Sequence, residues 1–475
     1  MANTVPCAVV RLSVTASAST TRHDFPPDFH LWLRHLQLPR SLFLYTRRHV
    51  EGAYAQGGRS LSKILDGSNG FLLLIIYNRF KEDVALLKKL GVDAYRFSLS
   101  WSRILPGGRL NGKEGVKFYN DLIDLLLAQG IEPCVTIFFF DVPQCLEDEQ
   151  DFAEYEVCFF EFGDRVKFWI TQNEPITFTK NGYVDGSFPP GHGSTSARPS
   201  AKNGDIDVLV ESIILVMVDV QGGKIGITNM SVWQDPYSDA QADIEAASSS
   251  RFFGWFVAPI VTGDYPPVMR DRVGNRLPKF TPNEVKTVKG SYDFLGINYY
   301  TTNWAAYKPT PPAVRDGVPI GEQAGSDWLY VVPYGIRNLL VHAKNKYNNP
   351  IIYLTENGVD EKNDKSATIT TALKDDHRIK YHQEHLAFLK EAMDLGVCLK
   401  GYFPWSPFDN YEWTEGYTVR FGMYYVDYVN GYTRYPKRSA IWYMNFLNKN
   451  VLPRPKKQIK EIEDDNASAK RKRGH

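Results

Sequence analysis

Short runs of β-branched and aromatic residues alternate along the chain with longer amphipathic stretches. Seven of these runs have the length and composition of buried strands: residues 94–101, 131–140, 168–175, 224–229, 293–300, 351–358 and 399–406. The first three begin at residues 94, 131 and 168, an interval of 37 residues that leaves room for a strand, a loop, a helix and a loop. Strands that alternate with helices in this way pair in parallel through right-handed crossovers.

The stretches between the strands carry apolar residues at helical spacing. Residues 77–91 and 116–130 each end at a glycine, which commonly terminates a helix in the left-handed conformation. Seven strands joined by such helices predict an α/β fold, either a (β/α)₈ TIM barrel with one strand unrecognised or an open doubly wound sheet. No glycine-rich phosphate-binding motif follows any of these strands, which favours the barrel.

The eighth strand would precede residue 77, where the pattern becomes irregular. Residues 30–49 have neither a two-residue nor a helical period, so we expect the first strand region of the barrel to be disturbed. We predict a single catalytic domain at 24–453, between a disordered segment at 1–23 and a disordered charged tail at 454–475. The basic cluster at 470–473 is either a nuclear import signal or part of a solubilising tail.

Composition narrows the class of protein. The chain has 475 residues with 55 basic and 54 acidic side chains, and a formal net charge of +1. This balance argues against nucleic acid or an anionic membrane as a partner, because both need a basic surface. The five cysteines form no Cys-x-x-Cys pair, which excludes a disulfide scaffold and a zinc ribbon. With no apolar run of the roughly 20 residues that cross a bilayer and no clear secretory signal, we expect a cytoplasmic or nuclear location.

Two glutamates end strands of this pattern. Glu174 closes the run Thr-Gln-Asn-Glu-Pro at 171–175, and Glu356 belongs to Thr-Glu-Asn-Gly at 355–358. Because the C-terminal ends of barrel strands open onto one face, the two carboxyl groups can meet over one cavity. Glycoside hydrolysis requires such a pair, one protonated and one ionised. From spacing alone, a helix cap or a surface ion pair is the favoured alternative for each glutamate, since such carboxylates are common.

Aromatic residues after the last strand favour the catalytic interpretation of the two glutamates over these alternatives. Residues 405–413 read Trp-Ser-Pro-Phe-Asp-Asn-Tyr-Glu-Trp, with Trp405, Glu412 and Trp413 at the predicted catalytic face. The C–H face of a sugar packs on an indole, and sugar hydroxyls donate to a carboxylate. The alternative, a tryptophan-rich end of a core strand, competes strongly for Trp405 and less so for the other two residues.

A metal site is the less favoured interpretation of a second pattern. His382 and His385 lie three residues apart on a predicted helix and could together bind a metal ion. No third ligand lies nearby in the sequence, so a solvated helix face is the preferred interpretation. We therefore predict neither a metal nor a cofactor.

These motifs together resemble those of plant β-glucosidases of glycoside hydrolase family 1. Besides the two glutamate motifs, the resemblance rests on AYRFSLSWSRILP, DVPQCLEDE, DFLGINYY, AGSDWLY and GYTVRFG, and it extends from residue 24 to about residue 452. It implies a (β/α)₈ barrel and an O-glycosyl hydrolase, a retaining β-glucosidase that releases terminal non-reducing β-D-glucosyl residues from O-glucosides. The basic tail is similar to the tails of members that act on monoterpenoid or alkaloid glucosides.

The resemblance implies a role for each matching residue around the reacting bond. Glu174 would be the acid/base and Glu356 the nucleophile. Asn173 would hold the 2-hydroxyl of the sugar. Arg96 and Tyr300 would position the nucleophile and keep it ionised.

The remaining matches concern recognition of the glucose unit. Trp405 would be the stacking platform, and Glu412 with Trp413 would bind the distal hydroxyls. A carboxylate at position 412 would repel a phosphorylated sugar. Thioglucosidases of the family carry glutamine at the acid/base position, where this chain has Glu174. The expected substrate is therefore an unphosphorylated O-glucoside.

Two departures from the family pattern favour alternative hypotheses. Phe139 stands where the family has a sugar-binding histidine, and His49 stands where a glucose-binding glutamine is expected. One lost sugar contact would cost about 1–3 kcal/mol of transition-state binding, and a lost first strand would leave its neighbours as open edges. The alternatives are a catalytically impaired sugar-binding relative and the poorly folding product of a damaged gene copy.

Overall fold

Eight parallel strands follow one another around a closed barrel, each paired with the next along the chain. The computed structural model describes residues 20–31, 33–34, 64–68, 79–104, 113–140, 156–188, 222–249, 253–307, 314–315 and 318–448. The barrel strands are β1 (His30–Leu31 and Leu33–Arg34), β2 (Ala94–Ser98), β3 (Glu132–Phe138), β4 (Phe168–Asn173), β5 (Lys224–Met230), β6 (Phe294–Asn298), β7 (Ile352–Asn357) and β8 (Leu399–Pro404). All seven predicted strands are present, and only β5 extends beyond its predicted range, by one residue.

The first strand is short and divided, but it completes the barrel. His30–Leu31 pairs in parallel with Gly401–Tyr402 of β8, and Leu33–Arg34 pairs in parallel with Tyr95–Arg96 of β2. The first strand is therefore present, although disturbed as expected, and its neighbours are not left as open edges. Strand pairing uses backbone N–H and C=O groups alone, so two-residue halves can close a sheet without a periodic side-chain pattern. Residues 35–49 of the irregular stretch lie outside the described residues.

Helices pack around the outside of the barrel. They are Phe80–Leu90, Trp101–Ile104, Lys113–Ala128, Glu156–Phe162, Pro175–Thr179, Gln241–Ser249, Phe253–Thr262, Pro267–Val273, Pro282–Val288, Pro333–Lys346, Ile369–Ala372, Asp376–Asp394 and Arg438–Leu447. Single-turn 3₁₀ helices occupy Arg22–Asp24, Gly274–Arg276 and Trp413–Glu415, and a π-helical turn occupies Lys180–Val184. Among the helices in the described ranges, none is long and apolar enough to span a membrane.

Five short ladders lie outside the barrel. They are Trp233–Pro236 with Thr302–Ala305, Val314–Arg315 with Val318–Pro319, Glu322–Gln323 with Tyr330–Val331, Glu361–Lys362 with Val419–Arg420, and Tyr424–Val426 with Arg434–Pro436. Except for the first, these pairs are antiparallel. Several of them belong to the segments that follow β7 and β8, and they give these segments a fixed shape beside the C-terminal ends of the strands.

Both helices predicted from the apolar spacing, at 77–91 and 116–130, are present, and each ends at or just before the predicted glycine. Phe80–Leu90 buries Val84, Leu87 and Leu90 against the barrel, and it ends at Gly91 with φ of +84°. Lys113–Ala128 lies within and just before its predicted range and is followed by Gly130 with φ of +70°. Apolar residues three and four positions apart form the stripe that faces the strands.

Aromatic rings fill the barrel near the N-terminal ends of its strands. Phe168, Phe294 and Tyr353 come from β4, β6 and β7, and their ring centroids lie 4.7 to 5.1 Å apart. Because β4 and β6 are not adjacent, these rings must meet through the interior. These three rings fill the N-terminal end of the barrel interior. Polar side chains therefore lie at the opposite, C-terminal end, as in other barrels of this type.

The two helix histidines are buried, so the prediction of a solvated face is wrong. His382 and His385 lie on Asp376–Asp394 with no exposed surface. The Nδ1 atom of His382 lies 2.7 Å from the Tyr402 hydroxyl, and Nδ1 of His385 lies 2.7 Å from the carbonyl of Tyr381. Within the described ranges, no group of three His, Cys, Asp or Glu side chains could hold a metal ion. The rings are core side chains: His382 has its partner on barrel strand β8, and His385 has its partner on its own helix.

Some predictions fall on parts of the chain that are not described. His49 and the basic cluster at 470–473 lie outside the described residues, as does the whole of the predicted tail at 454–475. The same holds for residues 1–19 of the predicted N-terminal segment. The predicted domain boundaries therefore remain predictions.

Candidate active site

Glu174 is held in an unusual backbone conformation directly after β4. Its φ of 45° and ψ of 65° lie in the left-handed region, which residues other than glycine rarely adopt and which costs about 1–3 kcal/mol. Its N–H donates to the carbonyl of Thr228 on β5 at 2.8 Å, and Pro175 begins a short helix immediately afterwards. The turn between strand and helix leaves the buried carboxyl group in the wall of a cavity.

Glu356 lies near the end of β7, in the same cavity, and accepts hydrogen bonds on both oxygens. Arg96 donates from Nη1 to Oε1 at 3.3 Å, and the Tyr300 hydroxyl donates to Oε2 at 2.6 Å. Burial lowers the pKa of Arg96 to about 10, so the guanidinium is still cationic at neutral pH. A cation and hydroxyl donor in fixed positions favour the ionised form of the Glu356 carboxyl.

One amide group joins the two glutamates. Nδ2 of Asn298, the last residue of β6, lies 2.7 Å from Oε1 of Glu174 and 2.6 Å from Oε1 of Glu356. These two oxygens can therefore be no farther apart than the sum of the distances, 5.3 Å. The two carboxyl groups are thus close enough to act on one bond of a substrate that lies between them. The sequence predicted this proximity from the ends of β4 and β7.

Asn173 connects the arginine to the same amide. Its Oδ1 accepts from Nη2 of Arg96 at 3.0 Å and from Nδ2 of Asn298 at 3.2 Å. Asn298 in turn accepts on Oδ1 from the Thr355 hydroxyl at 2.8 Å. These side chains come from four different strands and are all buried, so their relative positions are fixed by the barrel itself.

Trp405 and Glu412 form a second part of the cavity wall. The indole Nε1 of Trp405 donates to Oε1 of Glu412 at 3.3 Å. Burial, together with the nearby carboxylate of Asp360, raises the pKa of Glu412 to about 8. A buried carboxyl beside an indole face offers both hydrogen-bonding groups and an apolar surface, which a sugar ring requires.

Trp413 is enclosed by phenylalanine rings. Phe139 stacks on it with centroids 5.7 Å apart and an angle of 13°, and Phe188 does so at 5.5 Å and 20°. Phe140 lies 5.2 Å from the same ring in a tilted arrangement. The phenylalanine that replaces the expected histidine at position 139 thus packs against a predicted sugar-binding residue, and this part of the wall is aromatic.

A buried ion network holds the segment that carries Trp405, Glu412 and Trp413. Asp409 in this segment accepts hydrogen bonds from Arg420 and Lys437, and it has no exposed surface. Lys437 also donates to Oε1 of Glu361 at 2.7 Å, and Arg378 lies 3.5 Å from the same oxygen. The segment after β8 is therefore connected through charges to the segment after β7.

This network predicts a stability change at acid pH. Burial would raise the pKa of Glu361, but Arg378 and Lys437 outweigh it and lower the pKa to about 2 from an ordinary value of 4.5. A lowered native pKa adds stability above pH 4.5, and this stability is lost as the pH falls from 4.5 towards 2. We expect Glu361→Gln to lower the free energy of unfolding at pH 7 by about 3 kcal/mol and to have much less effect at pH 2.

Urea unfolding of both proteins across this pH range measures the effect. Glu322→Gln is a matched control, because Glu322 is exposed and lies 3.5 Å from the exposed Lys380. Exposed pairs of this kind contribute about 0–1 kcal/mol. An equal loss of stability in Glu361→Gln at pH 7 and pH 2 would contradict the ionic origin of the effect.

The cavity has a volume of about 530 Å³ and is lined by both polar and apolar side chains. The carboxyl groups of Glu174, Glu356 and Glu412 line it together with Asn173, Tyr300 and Trp405. The other lining residues include apolar side chains, among them Ile176, Phe188, Met230, Val232, Trp328 and Phe421, and polar side chains, among them Thr177, Lys180, Asn181, Asn303 and Glu415. Trp328 is 44% exposed and lies edge-on to Tyr300, with ring centroids 5.8 Å apart, so it marks the side of the cavity that opens to solvent.

The structure brings together eight of the nine residues singled out from the sequence. Glu174, Glu356, Asn173, Tyr300, Trp405, Glu412 and Trp413 line the cavity, and Arg96 contacts Glu356 from below. His49 lies outside the described residues. Sequence reasoning missed Asn298, although it lies near the C-terminal end of the predicted strand at 293–300 and ends the observed strand β6. A polar residue at that position was the available signal.

The chain matches the family described as "Glycosyl hydrolase family 1" over residues 47–452. It is 50% identical to oleuropein β-glucosidase of Olea europaea, with 93% of this chain and 92% of that protein covered. It is 42% identical to raucaffricine-O-β-D-glucosidase of Rauvolfia serpentina, over 95% and 97%. Among solved structures, the rice β-glucosidase Os3BGlu6 superposes with a TM-score of 0.80 at 39% identity, covering 90% of this chain and 100% of that one.

Proposed function

Because the chain belongs to glycosyl hydrolase family 1 and is a retaining β-glucosidase, we propose that Glu174 is its acid/base and Glu356 its nucleophile. The enzyme hydrolyses β-glucosides of small molecules. The observation that carries the assignment is the pair of carboxyl oxygens held within 5.3 Å of each other by the amide of Asn298. Retaining enzymes separate their carboxyl groups by roughly 5–5.5 Å, and inverting enzymes by roughly 6.5–9.5 Å to admit a water molecule.

The first half of the reaction transfers glucose to the enzyme. A carboxylate oxygen of Glu356 attacks the anomeric carbon while Glu174 gives its proton to the glycosidic oxygen. The bond between the anomeric carbon and that oxygen breaks, and the aglycone leaves as a neutral alcohol. A glucosyl ester of Glu356 with inverted configuration remains.

The second half releases glucose with the original configuration. Glu174, now ionised, accepts a proton from water as the water oxygen attacks the anomeric carbon. The ester bond breaks and the Glu356 carboxylate is restored, while Glu174 is again protonated. Two successive inversions leave the β-anomer.

The surroundings of Glu356 support its role as nucleophile. Donors from Arg96, Tyr300 and Asn298 are directed at its oxygens before any substrate binds. They favour the carboxylate required for attack, and their fixed positions avoid reorganisation during the reaction. Glu174 instead accepts from neutral groups, the Asn298 amide and the Thr177 hydroxyl, which suits a group that must gain and lose a proton.

We infer that glucose binds beside the two catalytic carboxyl groups and that the aglycone lies towards the solvent-exposed Trp328. Trp405 offers the stacking surface, and Glu412 and Asn173 offer polar groups for hydroxyls, consistent with the roles that the family resemblance implies. Ile176, Met230 and Trp328 would contact an apolar aglycone. Relatives named for oleuropein and raucaffricine make these two glucosides suitable test substrates.

The alternatives of an impaired relative and of a poorly folding product gain no support. The first strand closes the barrel, and the two carboxyl groups and their donors are in place. Phe139 removes one possible hydrogen bond to the sugar, but it completes the aromatic packing around Trp413.

Following hydrolysis by proton NMR tests the proposed function. With 4-nitrophenyl β-D-glucoside, we expect the β-anomer of glucose to appear first and the α-anomer only later, through mutarotation. The nitrophenyl α-glucoside is the control and should not be cleaved. First appearance of the α-anomer would contradict a retaining mechanism, and failure to turn over any β-glucoside would favour the impaired relative.

A further inference from the structure

Thr177 contacts the carboxyl group of Glu174 from the next turn of the chain. Its hydroxyl donates to Oε2 of Glu174 at 2.8 Å, while Asn298 donates to Oε1 at 2.7 Å. Thr177 lies three residues after Glu174 in the helix Pro175–Thr179 and lines the cavity. Each oxygen of the acid/base therefore has its own donor, and the two donors differ in kind.

The Thr177 hydroxyl has a second acceptor within reach. Its oxygen lies 3.2 Å from Sδ of Met230, the last residue of β5. A hydroxyl carries one hydrogen and cannot donate to both acceptors at once. A thioether is a weak acceptor, so the hydrogen points to the carboxyl when that group is charged.

The reaction requires Glu174 to alternate between its protonated and ionised forms. The Asn298 amide is anchored by Thr355 and by Glu356, so its N–H continues to point at Oε1. The Thr177 hydroxyl can rotate about one bond. Oε2 is therefore the oxygen that can take the proton, because its donor is the one able to turn away.

We propose that Thr177 is a positioning residue whose hydroxyl hydrogen follows the charge of Glu174, with Met230 as the alternative acceptor. When Glu174 is ionised, the hydrogen lies on Oε2 and stabilises the carboxylate. When Glu174 is protonated on Oε2, the hydrogen turns to the sulfur. The proposal rests on the acid/base role of Glu174 and adds two residues that adjust its proton affinity.

Thr177→Val removes the hydroxyl and keeps the shape of the side chain. The carboxylate loses a donor, so Glu174 keeps its proton to higher pH. We expect the basic limb of the pH dependence of kcat/KM to move up by about 1 pH unit, the effect of one lost hydrogen bond to a charged group. Thr177→Ser restores a hydroxyl and should restore the limb. An unmoved limb in Thr177→Val overturns the proposal.

Met230→Leu tests the alternative acceptor with a change of the opposite sign. With the sulfur gone, the hydroxyl hydrogen has only the carboxyl to bind, and the ionised form gains. We expect the basic limb to move down by about 0.3 pH unit, since a thioether is a weak acceptor. In the double variant with Thr177→Val, the Met230 substitution should add no shift. An equal shift in both backgrounds overturns the role of the sulfur.

Two further variants distinguish an effect of Thr177 on Glu174 from a loss of helix stability and from a failure of the acid/base assignment. Thr179→Val removes a hydroxyl from the same helix that donates to the carbonyl of Pro175, so it matches any loss of helix stability without touching Glu174. A limb shift equal to that of Thr177→Val would overturn the proposal. Glu174→Gln should abolish the basic limb. If it does not, the acid/base assignment itself fails, whatever the Thr177 variants show.

Discussion

Glu356→Ala is expected to lower kcat/KM for 4-nitrophenyl β-D-glucoside by more than about 10⁴-fold, because the substitution removes the carboxylate that forms the glucosyl ester. The fold should be retained, since the neighbouring polar groups keep one another as partners: Arg96 still contacts Thr136, the carbonyl of Thr355 and Asn173. Initial rates with purified protein measure the loss.

Azide tests whether Glu356 acts as the nucleophile, which a loss of activity alone does not show. A small anion can enter the space left by the carboxyl and attack from the same face, so Glu356→Ala with azide should form α-glucosyl azide. Glu391→Ala is the matched control, because this glutamate lies on an outer helix and pairs with Arg337. Formation of β-glucosyl azide by Glu356→Ala would contradict the nucleophile assignment.

Glu174→Ala is expected to show a loss that depends on the leaving group. General acid catalysis contributes about 10²–10⁴-fold, and poor leaving groups need it most. We expect kcat/KM to fall by about 10³-fold or more for an alkyl β-glucoside. For 2,4-dinitrophenyl β-glucoside, whose phenolate leaves without a proton, we expect a loss of less than about 10-fold. A series of aryl glucosides with different leaving groups measures this dependence.

The second half-reaction provides an independent test of the same residue. Without a general base, the glucosyl ester on Glu356 should accumulate, and azide, which needs no base, should release it as β-glucosyl azide. Glu174→Gln is a matched variant that keeps the size of the side chain and its contact with Asn298. An equal loss for all leaving groups, or an α-azide product, would contradict the acid/base role.

Most of the barrel could be predicted because its strands are buried on both faces. Such strands appear in the sequence as compact apolar runs, and the equal interval between the first three reflects one strand and one helix per unit. The first strand has no such run. Its two halves are held by backbone pairing with β2 and β8. The position of the first strand is therefore determined by these neighbouring strands and not by a pattern within residues 30–34.

The candidate site could be predicted as far as single strand ends allow. Glu174 and Glu356 were found because each ends a strand and because their motifs are specific to a family. Asn298 also ends a strand, but its importance comes from contacts with residues 124 and 58 positions away. The burial of His382 was missed for the same reason, since its partner Tyr402 belongs to β8. Contacts across the barrel leave no local pattern in the sequence.

The amide of Asn298 has a consequence for how this enzyme could change over evolution. A single –NH₂ group fixes the distance between both carboxyl groups, so neither can retreat without losing that contact. An inverting descendant would need room for a water molecule between the two carboxyl groups, and a carboxyl group that withdrew to make this room would lose its contact with the amide. The separation of the two carboxyl groups that a retaining reaction needs is thus set in part by an asparagine that takes no part in bond making.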